Sequence, residues 1–144
     1  MARIIRRMNP SVTYTIIDLP ELLALQYVYL SALEGDDNMH IVQPDVSLQL
    51  MPGKINLLSS PLVVSKSSDL ECDAFISTWA ISESPDDAQK FVRRKEFFGA
   101  RNLLMASYID KHNWLADSLS GIELSRIPLP LYRGVIKGNE YWFK

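Results

Sequence analysis

The sequence of residues 13–34 is TYTIIDLPELLALQYVYLSALE, in which one acidic residue separates a strand pattern from a helix pattern. The β-branched and aromatic residues Thr13–Ile17 favour a strand. Pro20 suits the first turn of a helix and Glu21 its positive end, so a helix is expected from Pro20 to about Leu33. Because this helix is apolar on most sides, we expect it to be well buried.

Strand and helix patterns alternate along the rest of the chain. Residues 1–8 are typical of the end of a helix. The apolar run Ile55–Leu58 is favoured as the next parallel strand, with His40–Val42 as an accessory strand. Asp73–Thr78 and Leu103–Ile109 are two further short apolar runs. Each of them predicts a strand, and the second has the composition of a central, doubly covered one.

The C-terminal half predicts one helix and a closing hairpin. The helix is expected over residues 85–98, with Ser84 as its N-terminal cap and Gly99 ending it. Gly138-Asn139 lies between Val135-Ile136 and Tyr141-Trp142-Phe143, which is the pattern of a hairpin. The order of elements predicts an α/β fold with a mostly parallel sheet and an antiparallel edge.

Length and composition narrow the class of protein. A chain of 144 residues with 47% hydrophobic residues is long enough for one domain around one core, and we expect residues 1–144 to form it. The net charge of -2 favours neither nucleic acid nor an anionic membrane as a partner. The lone Cys72 excludes an internal disulfide and suits the cytoplasm. It has no partner at metal-ligand spacing, so no metal site is expected.

The first group of candidate ligand-binding residues follows the strands of the N-terminal half. Ligands of parallel sheets bind outside the carboxyl ends of the strands. Asp18 ends one such strand, and its carboxylate can accept hydrogen bonds from both hydroxyls of a ribose. The alternative is an aspartate that orients the turn into the helix at Pro20. Leu19 and Ser60 also directly follow strands and are further candidates.

The second group follows the strands of the C-terminal half. Ser77 and Thr78 offer hydrogen bonds, and Trp79 can form the wall of a pocket. Glu83 can act as a general base if it is buried. His112 is a second candidate base. The alternatives are a core position for Trp79, a place beside the next helix cap for Glu83, and a solvated loop position for His112.

Three segments resemble class I S-adenosylmethionine-dependent methyltransferases. The segment Thr15-Ile16-Ile17-Asp18-Leu19-Pro20-Glu21 resembles the strand-acid-Leu-Pro segment of many O-methyltransferases. Asp73–Glu83 resembles the segment after a strand in the sugar O-methyltransferase branch. Gly138–Phe143 is similar to that branch's last antiparallel strand. The resemblance covers most of the chain and is weakest over residues 36–60.

The resemblance implies a fold, a cofactor and a reaction. The fold would be a Rossmann-like, mostly parallel sheet with helices on both faces and a C-terminal antiparallel hairpin. The reaction would transfer a methyl group from S-adenosylmethionine to a sugar or another small hydroxylated acceptor, with Glu83 or His112 as the base. The residues expected to hold the cofactor are Asp18, Leu19, Ser60, Ser77, Thr78 and Trp79.

The chain departs from the family at its start. Such domains have a first strand and a glycine-rich turn before the ribose-binding acid, and neither precedes Asp18 here. Residues 2–8 resemble the helix that follows that turn. We therefore expect an incomplete domain, which lacks an N-terminal segment or associates with further copies of itself. The alternatives are a catalytically inactive Rossmann-like interaction module and a nucleotide-sugar or dinucleotide-binding enzyme.

Overall fold

The chain forms two compact units, Met1–Leu70 and Glu71–Lys144. Within them, the computed structural model describes residues 1–44, 48–66, 70–108, 125–128 and 139–143. The elements of the first unit are α1 (Ala2–Met8), β1 (Tyr14–Asp18), α2 (Pro20–Glu34), β2 (Met39–Ile41), β3 (Ile55–Ser59) and α3 (Ser60–Lys66). Those of the second are β4 (Ala74–Thr78), α4 (Ala80–Glu83), α5 (Asp86–Arg94), β5 (Asn102–Tyr108), β6 (Ser125–Pro128) and β7 (Asn139–Phe143).

The first unit contains a three-stranded parallel sheet in the order β1-β3-β2. Tyr14 pairs with Ile55 at one end and Asp18 with Ser59 at the other. The central strand, β3, is the apolar run that the sequence favoured as the next parallel strand. The His40–Val42 segment forms the edge strand β2, so both predictions are confirmed. Central position explains the unbroken burial of β3, since such a strand is covered on both faces.

The core of the first unit lies between α2 and β3. Leu23 and Leu30 of α2 pack with Ile55 and Leu57, which are almost fully buried. Because side chains alternate along a strand, Asn56 lies on the opposite face. The Asn56 amide is fully buried and bonds the backbone N–H and carbonyl of Met51, which fixes the turn before β3. A buried amide satisfied in this way stabilises the loop instead of destabilising the core.

A buried arginine joins α1 to the loops beside it. The guanidinium of Arg6 donates to the carbonyls of Val12 and Gly53, and to Oδ1 of Asn38 at 3.0 Å. Arg6 is 8% exposed. Its donors meet acceptors on three separate segments, so the side chain holds the N-terminal helix against the unit.

The predicted burial of α2 holds for one side of the helix only. Leu23 and Leu30 are buried, as expected. Leu25 and Val28 are 69% and 68% exposed, which contradicts the expectation of a helix buried all round. The error arises because an apolar composition indicates which helix residues favour burial, but does not show which of them contact other described residues.

The second unit contains a four-stranded sheet in the order β4-β5-β7-β6. β4 and β5 are parallel, as the sequence predicted, and their register places Thr78 opposite Ala106. β7 is antiparallel to both β5 and β6, which confirms an antiparallel C-terminal strand. Val135-Ile136, the other half of the predicted hairpin, lies outside the described residues.

The helix before β5 begins and ends differently from the prediction. Ser84 does not cap it, since its hydroxyl donates to the carbonyl of Ala80 at 2.7 Å and no side chain caps α5. The helix ends at Arg94 and is followed by a turn, Glu96–Gly99, whose φ angles are all positive. Left-handed backbone is unfavourable for residues other than glycine. Burial of Phe97 and Phe98 in the core stabilises this turn.

The core of the second unit forms around that turn. Phe97 packs with the β5 residues Leu103 and Met105, and Phe75 of β4 contacts it edge to face at 5.5 Å between ring centroids. Ile81 of α4 packs on the same cluster. The helices following β4 are thus held on one face of the parallel pair.

Both units show an α/β architecture with parallel strands and packed helices, consistent with a Rossmann-like fold. The sequence predicted one sheet, whereas the described strands form two. β1 and β4 each lie at the edge of their own sheet, and no pairing between described strands joins the two sheets. The single domain and the missing first strand remain predictions. In the described part of the chain, no helix is long and apolar enough to cross a membrane.

Candidate functional site

Two strands of the first unit bring the first group of candidate residues together. Asp18 and Ser59 end β1 and β3 side by side in register. Leu19 and Ser60 come next in the chain. Leu19 directly precedes α2, and Ser60 is the first residue of α3. The carboxyl edge of this parallel sheet therefore carries Asp18, Leu19 and Ser60, as the sequence predicted.

The carboxylate of Asp18 is held by its own chain. Oδ1 accepts the backbone N–H of Leu19 at 2.8 Å, and Oδ2 accepts Nε2 of Gln26 at 2.8 Å. These are the contacts of an aspartate that orients the start of α2. A carboxylate has about four acceptor sites, two on each oxygen. Among the described residues, each oxygen accepts one hydrogen bond and so has one further acceptor site.

Gln26 is a site residue that the sequence analysis missed. It is partly buried on α2, and its Oε1 is buried with no hydrogen-bond partner among the residues that the structure describes. The available signal was that Gln26 is one of only two polar residues, with Ser31, inside the apolar run Leu22–Leu33. Its distance of eight residues from Asp18 gave no reason to connect the two. The two residues are brought together only by the packing of α2 over the end of β1.

The second group of candidate residues forms the turn from β4 into α4. Trp79 has φ 62° and ψ -27°, a left-handed conformation that is unusual for a bulky residue. Its N–H donates to the carbonyl of Ala106 at 2.8 Å, and its carbonyl accepts the hydroxyl of Ser82 at 2.8 Å. Ser77 Oγ accepts the N–H of Ile81 at 3.1 Å. Backbone strain of this kind costs about 1–3 kcal/mol and is concentrated at functional sites.

Ser107 is the second site residue that the sequence analysis missed. Ser107 follows Ala106, the partner of Thr78, so it lies level with Trp79. It is 2% exposed, and its Oγ has no hydrogen-bond partner within the described ranges. A polar residue inside the apolar run Leu103–Ile109 was the available signal. Buried hydroxyls without partners are uncommon in native proteins.

The two candidate bases are placed differently. Glu83 ends α4 and is exposed, so the burial that would favour its role as a base is not observed. His112 lies outside the described residues, and its role remains a prediction. Thr78 is partly buried at the end of β4, beside the turn at Trp79.

Metal-ligating side chains do not cluster within residues 1–44, 48–66 and 70–108 or the two described C-terminal strands. His40 Nε2 lies 3.1 Å from the carbonyl of Gln49. Cys72 is half-buried, and Sγ lies 3.6 Å from the carbonyl of Phe97. Burial first, and then the neighbouring Asp73, raises the pKa of the Cys72 thiol.

We expect Cys72 to react slowly with iodoacetamide in the folded protein. A raised pKa leaves less thiolate near pH 8, and the thiolate is the reactive form. Alkylation should therefore be slower in buffer than in denaturing urea at the same pH, and the difference should shrink as the pH rises. Equal rates in the folded and unfolded protein at pH 8 would contradict this account.

No family model matches the chain, and no curated protein or solved structure matches it. These comparisons therefore assign the chain to no family.

Proposed function

We propose that the chain carries the greater part of an S-adenosylmethionine-dependent O-methyltransferase domain that acts on a sugar or another small hydroxylated acceptor. The observation that carries the proposal is Asp18. It ends a parallel strand at the carboxyl edge of the sheet, where ligands of such sheets bind, and among the described residues each of its oxygens accepts one hydrogen bond. The ribose of the cofactor offers two neighbouring hydroxyls, which match the further acceptor site on each oxygen.

The remaining candidate residues divide between the two units. In the first, Leu19 and Ser60 flank Asp18 and would contact the nucleoside part of the cofactor. In the second, Thr78 ends β4, Trp79 follows it in the turn, and both stay predicted cofactor residues, with Ser77 bonded to α4. The strained backbone of Trp79 supports a ligand-binding role for this turn.

The proposal includes a further parallel strand beside β1, followed by a glycine-rich turn that leads into α1. Of the described strands, only β3 pairs with β1, and four of the five β1 residues are nonetheless partly buried. Parallel sheets are usually covered on both faces. A strand on the open side of β1 would satisfy its unpaired backbone groups. The glycine-rich turn would let the backbone approach the methionine part of the cofactor.

The chemistry required of the chain is mainly positioning. When bound, the cofactor would supply an electrophilic methyl group to the acceptor oxygen, and the electron pair of the broken carbon–sulfur bond would go to sulfur. His112 or Glu83 would take the proton of the acceptor hydroxyl, and the exposure of Glu83 favours His112. Alignment of the acceptor oxygen, methyl carbon and sulfur would be the main contribution of the chain to the reaction.

The first test is the affinity of the chain of 144 residues for S-adenosylmethionine. We expect weak binding or none, because the proposed glycine-rich turn does not precede Asp18 in this sequence. Isothermal titration calorimetry measures it directly. A dissociation constant in the low micromolar range, about -8 kcal/mol, would show that the turn is dispensable.

A second candidate function is a catalytically inactive interaction module. It is favoured by the contacts of Asp18 with Leu19 and Gln26, which give the carboxylate a structural role without any ligand. This candidate predicts no cofactor binding even after a strand and a glycine-rich turn are added before Met1. The antiparallel β7 counts against the further alternative, a nucleotide-sugar or dinucleotide-binding enzyme.

A further inference from the structure

The buried polar side chains of the second unit are all hydroxyls in the part of it that the structure describes. They belong to Ser77, Ser82 and Ser107, which are between 1% and 5% exposed. No charged side chain is buried with them in this part of the unit. Hydroxyls can bind a neutral polar group by hydrogen bonds, but they would leave a buried ion without a countercharge.

Ser77 and Ser107 lie on the face of the sheet that α4 covers. The N–H of Trp79 donates to the carbonyl of Ala106, which continues the parallel register and places Ser107 level with Trp79. Because side chains alternate along a strand, Ser107 lies on the same face of β5 as Met105, whose partner in the register is Ser77. Met105 packs in the core cluster to which α4 contributes, so the Ser107 hydroxyl lies on the α4 side of the sheet.

Two of the three hydroxyls hold the turn into α4, and the third is left over. Ser77 Oγ accepts the N–H of Ile81, and Ser82 Oγ donates to the carbonyl of Trp79. The Oγ of Ser107 makes no hydrogen bond among the described residues. A hydroxyl buried without a partner is unfavourable, and so is the left-handed backbone of Trp79 beside it. Movement of the turn and α4 away from the sheet would relieve both.

We propose that Ser107 is a ligand-binding residue and that the turn at Trp79, together with α4, is a lid over it. When the lid opens, the Ser107 hydroxyl can exchange hydrogen bonds with a neutral hydroxylated molecule, such as a sugar or another polyol. Closure over this ligand would give the hydroxyl a partner. The ligand class rests on the proposed function, in which such a molecule is the methyl acceptor, whereas the opening of the lid does not.

The first test compares two equally buried serines in the full chain. Ser107→Ala removes a hydroxyl that has no described partner, so the melting temperature should rise or stay within about 1 °C of the parent value. Ser82→Ala is the matched control, because it removes the bond to the Trp79 carbonyl and should lower the melting temperature by about 2–5 °C. An equal fall in both variants would show that the Ser107 hydroxyl is bonded in the folded protein, which overturns the proposal.

The lid is tested by hydrogen exchange of the Ile81 N–H, which bonds Ser77 Oγ when the lid is closed. It should exchange at least about tenfold faster than the amides of β5, because local opening requires less free energy than global unfolding. Trp79→Gly and Trp79→Ala remove the same indole ring, but only glycine adopts the left-handed conformation without strain. Ile81 should therefore exchange about fivefold more slowly in Trp79→Gly than in Trp79→Ala. Equal rates in the two variants, or for Ile81 and β5, overturn the lid.

Ligand binding is tested on the chain of 144 residues without cofactor, by NMR titration with glycerol, D-glucose and D-galactose. At least one of the two sugars should shift the amide signals of Ser107 and Ile81 with a dissociation constant on the order of 1–10 mM. Ser107→Ala should weaken this binding about 3–10-fold. D-glucuronate and D-galacturonate, which carry a carboxylate on the same rings, should bind at least about tenfold more weakly than the parent sugars.

Two results overturn the binding role of Ser107: no shift with any of the three neutral probes up to about 100 mM, or unchanged affinity in Ser107→Ala. Equal binding of the charged and neutral sugars overturns the ligand class. Sugar binding in this titration requires no cofactor, so its failure is distinguishable from failure of the methyl-transfer proposal, which concerns the extended chain.

Discussion

Asp18→Ala is expected to lower the affinity for S-adenosylmethionine about 10–150-fold in a chain extended before Met1 by a strand and a glycine-rich turn. The substitution removes both oxygens proposed to accept the ribose hydroxyls, a loss of about 1.5–3 kcal/mol. Asp18→Asn keeps the shape of the side chain and loses its charge, so its affinity should fall between those of the other two proteins. Calorimetry on the three proteins measures the differences.

The structure supplies the control that separates binding from folding. Because Asp18 also bonds Leu19 and Gln26, Asp18→Ala should lower the melting temperature as well. Gln26→Leu removes the contact with Oδ2 and keeps the carboxylate. It should reproduce part of the stability loss with a much smaller loss of affinity. Equal cofactor affinity per folded molecule in Asp18→Ala and the parent would mean that Asp18 only forms the turn.

Leu57→Ala is expected to destabilise the first unit by about 2–5 kcal/mol. Leu57 is 2% exposed in the central strand β3 and packs against α2, so its truncation leaves a cavity that the surrounding core fills only in part. Urea denaturation and hydrogen exchange of the β3 amides measure the effect. Val64→Ala removes an exposed side chain and should change stability by less than about 0.5 kcal/mol. A loss below about 1 kcal/mol for Leu57→Ala would contradict the proposed core.

The local elements were predictable because each has a pattern of its own. The β-branched run before Asp18 and Pro20 after it predicted β1 and α2 to within one residue at each end. The apolar run of β3 was recognisable as a strand because a central parallel strand is apolar on both faces. The position of Asp18 at the end of a parallel strand followed from the same patterns.

Features that depend on contacts between distant residues were not predictable. The Asp18–Gln26 hydrogen bond joins residues eight positions apart and exists only because α2 folds back over the end of β1. Burial of Phe97 and Phe98 holds a left-handed turn that local preference disfavours. Ser84 bonds backward to Ala80 in α4, a helix that the sequence analysis did not predict, and therefore does not cap α5.

The most direct test of the proposed function is methyl transfer by the extended chain, followed as S-adenosylhomocysteine formed from S-adenosylmethionine with and without a panel of sugars and small hydroxylated acceptors. We predict acceptor-dependent product formation that Asp18→Ala strongly reduces at subsaturating cofactor. A correctly folded extended chain that neither binds the cofactor nor forms product would contradict the methyltransferase proposal and favour the inactive interaction module.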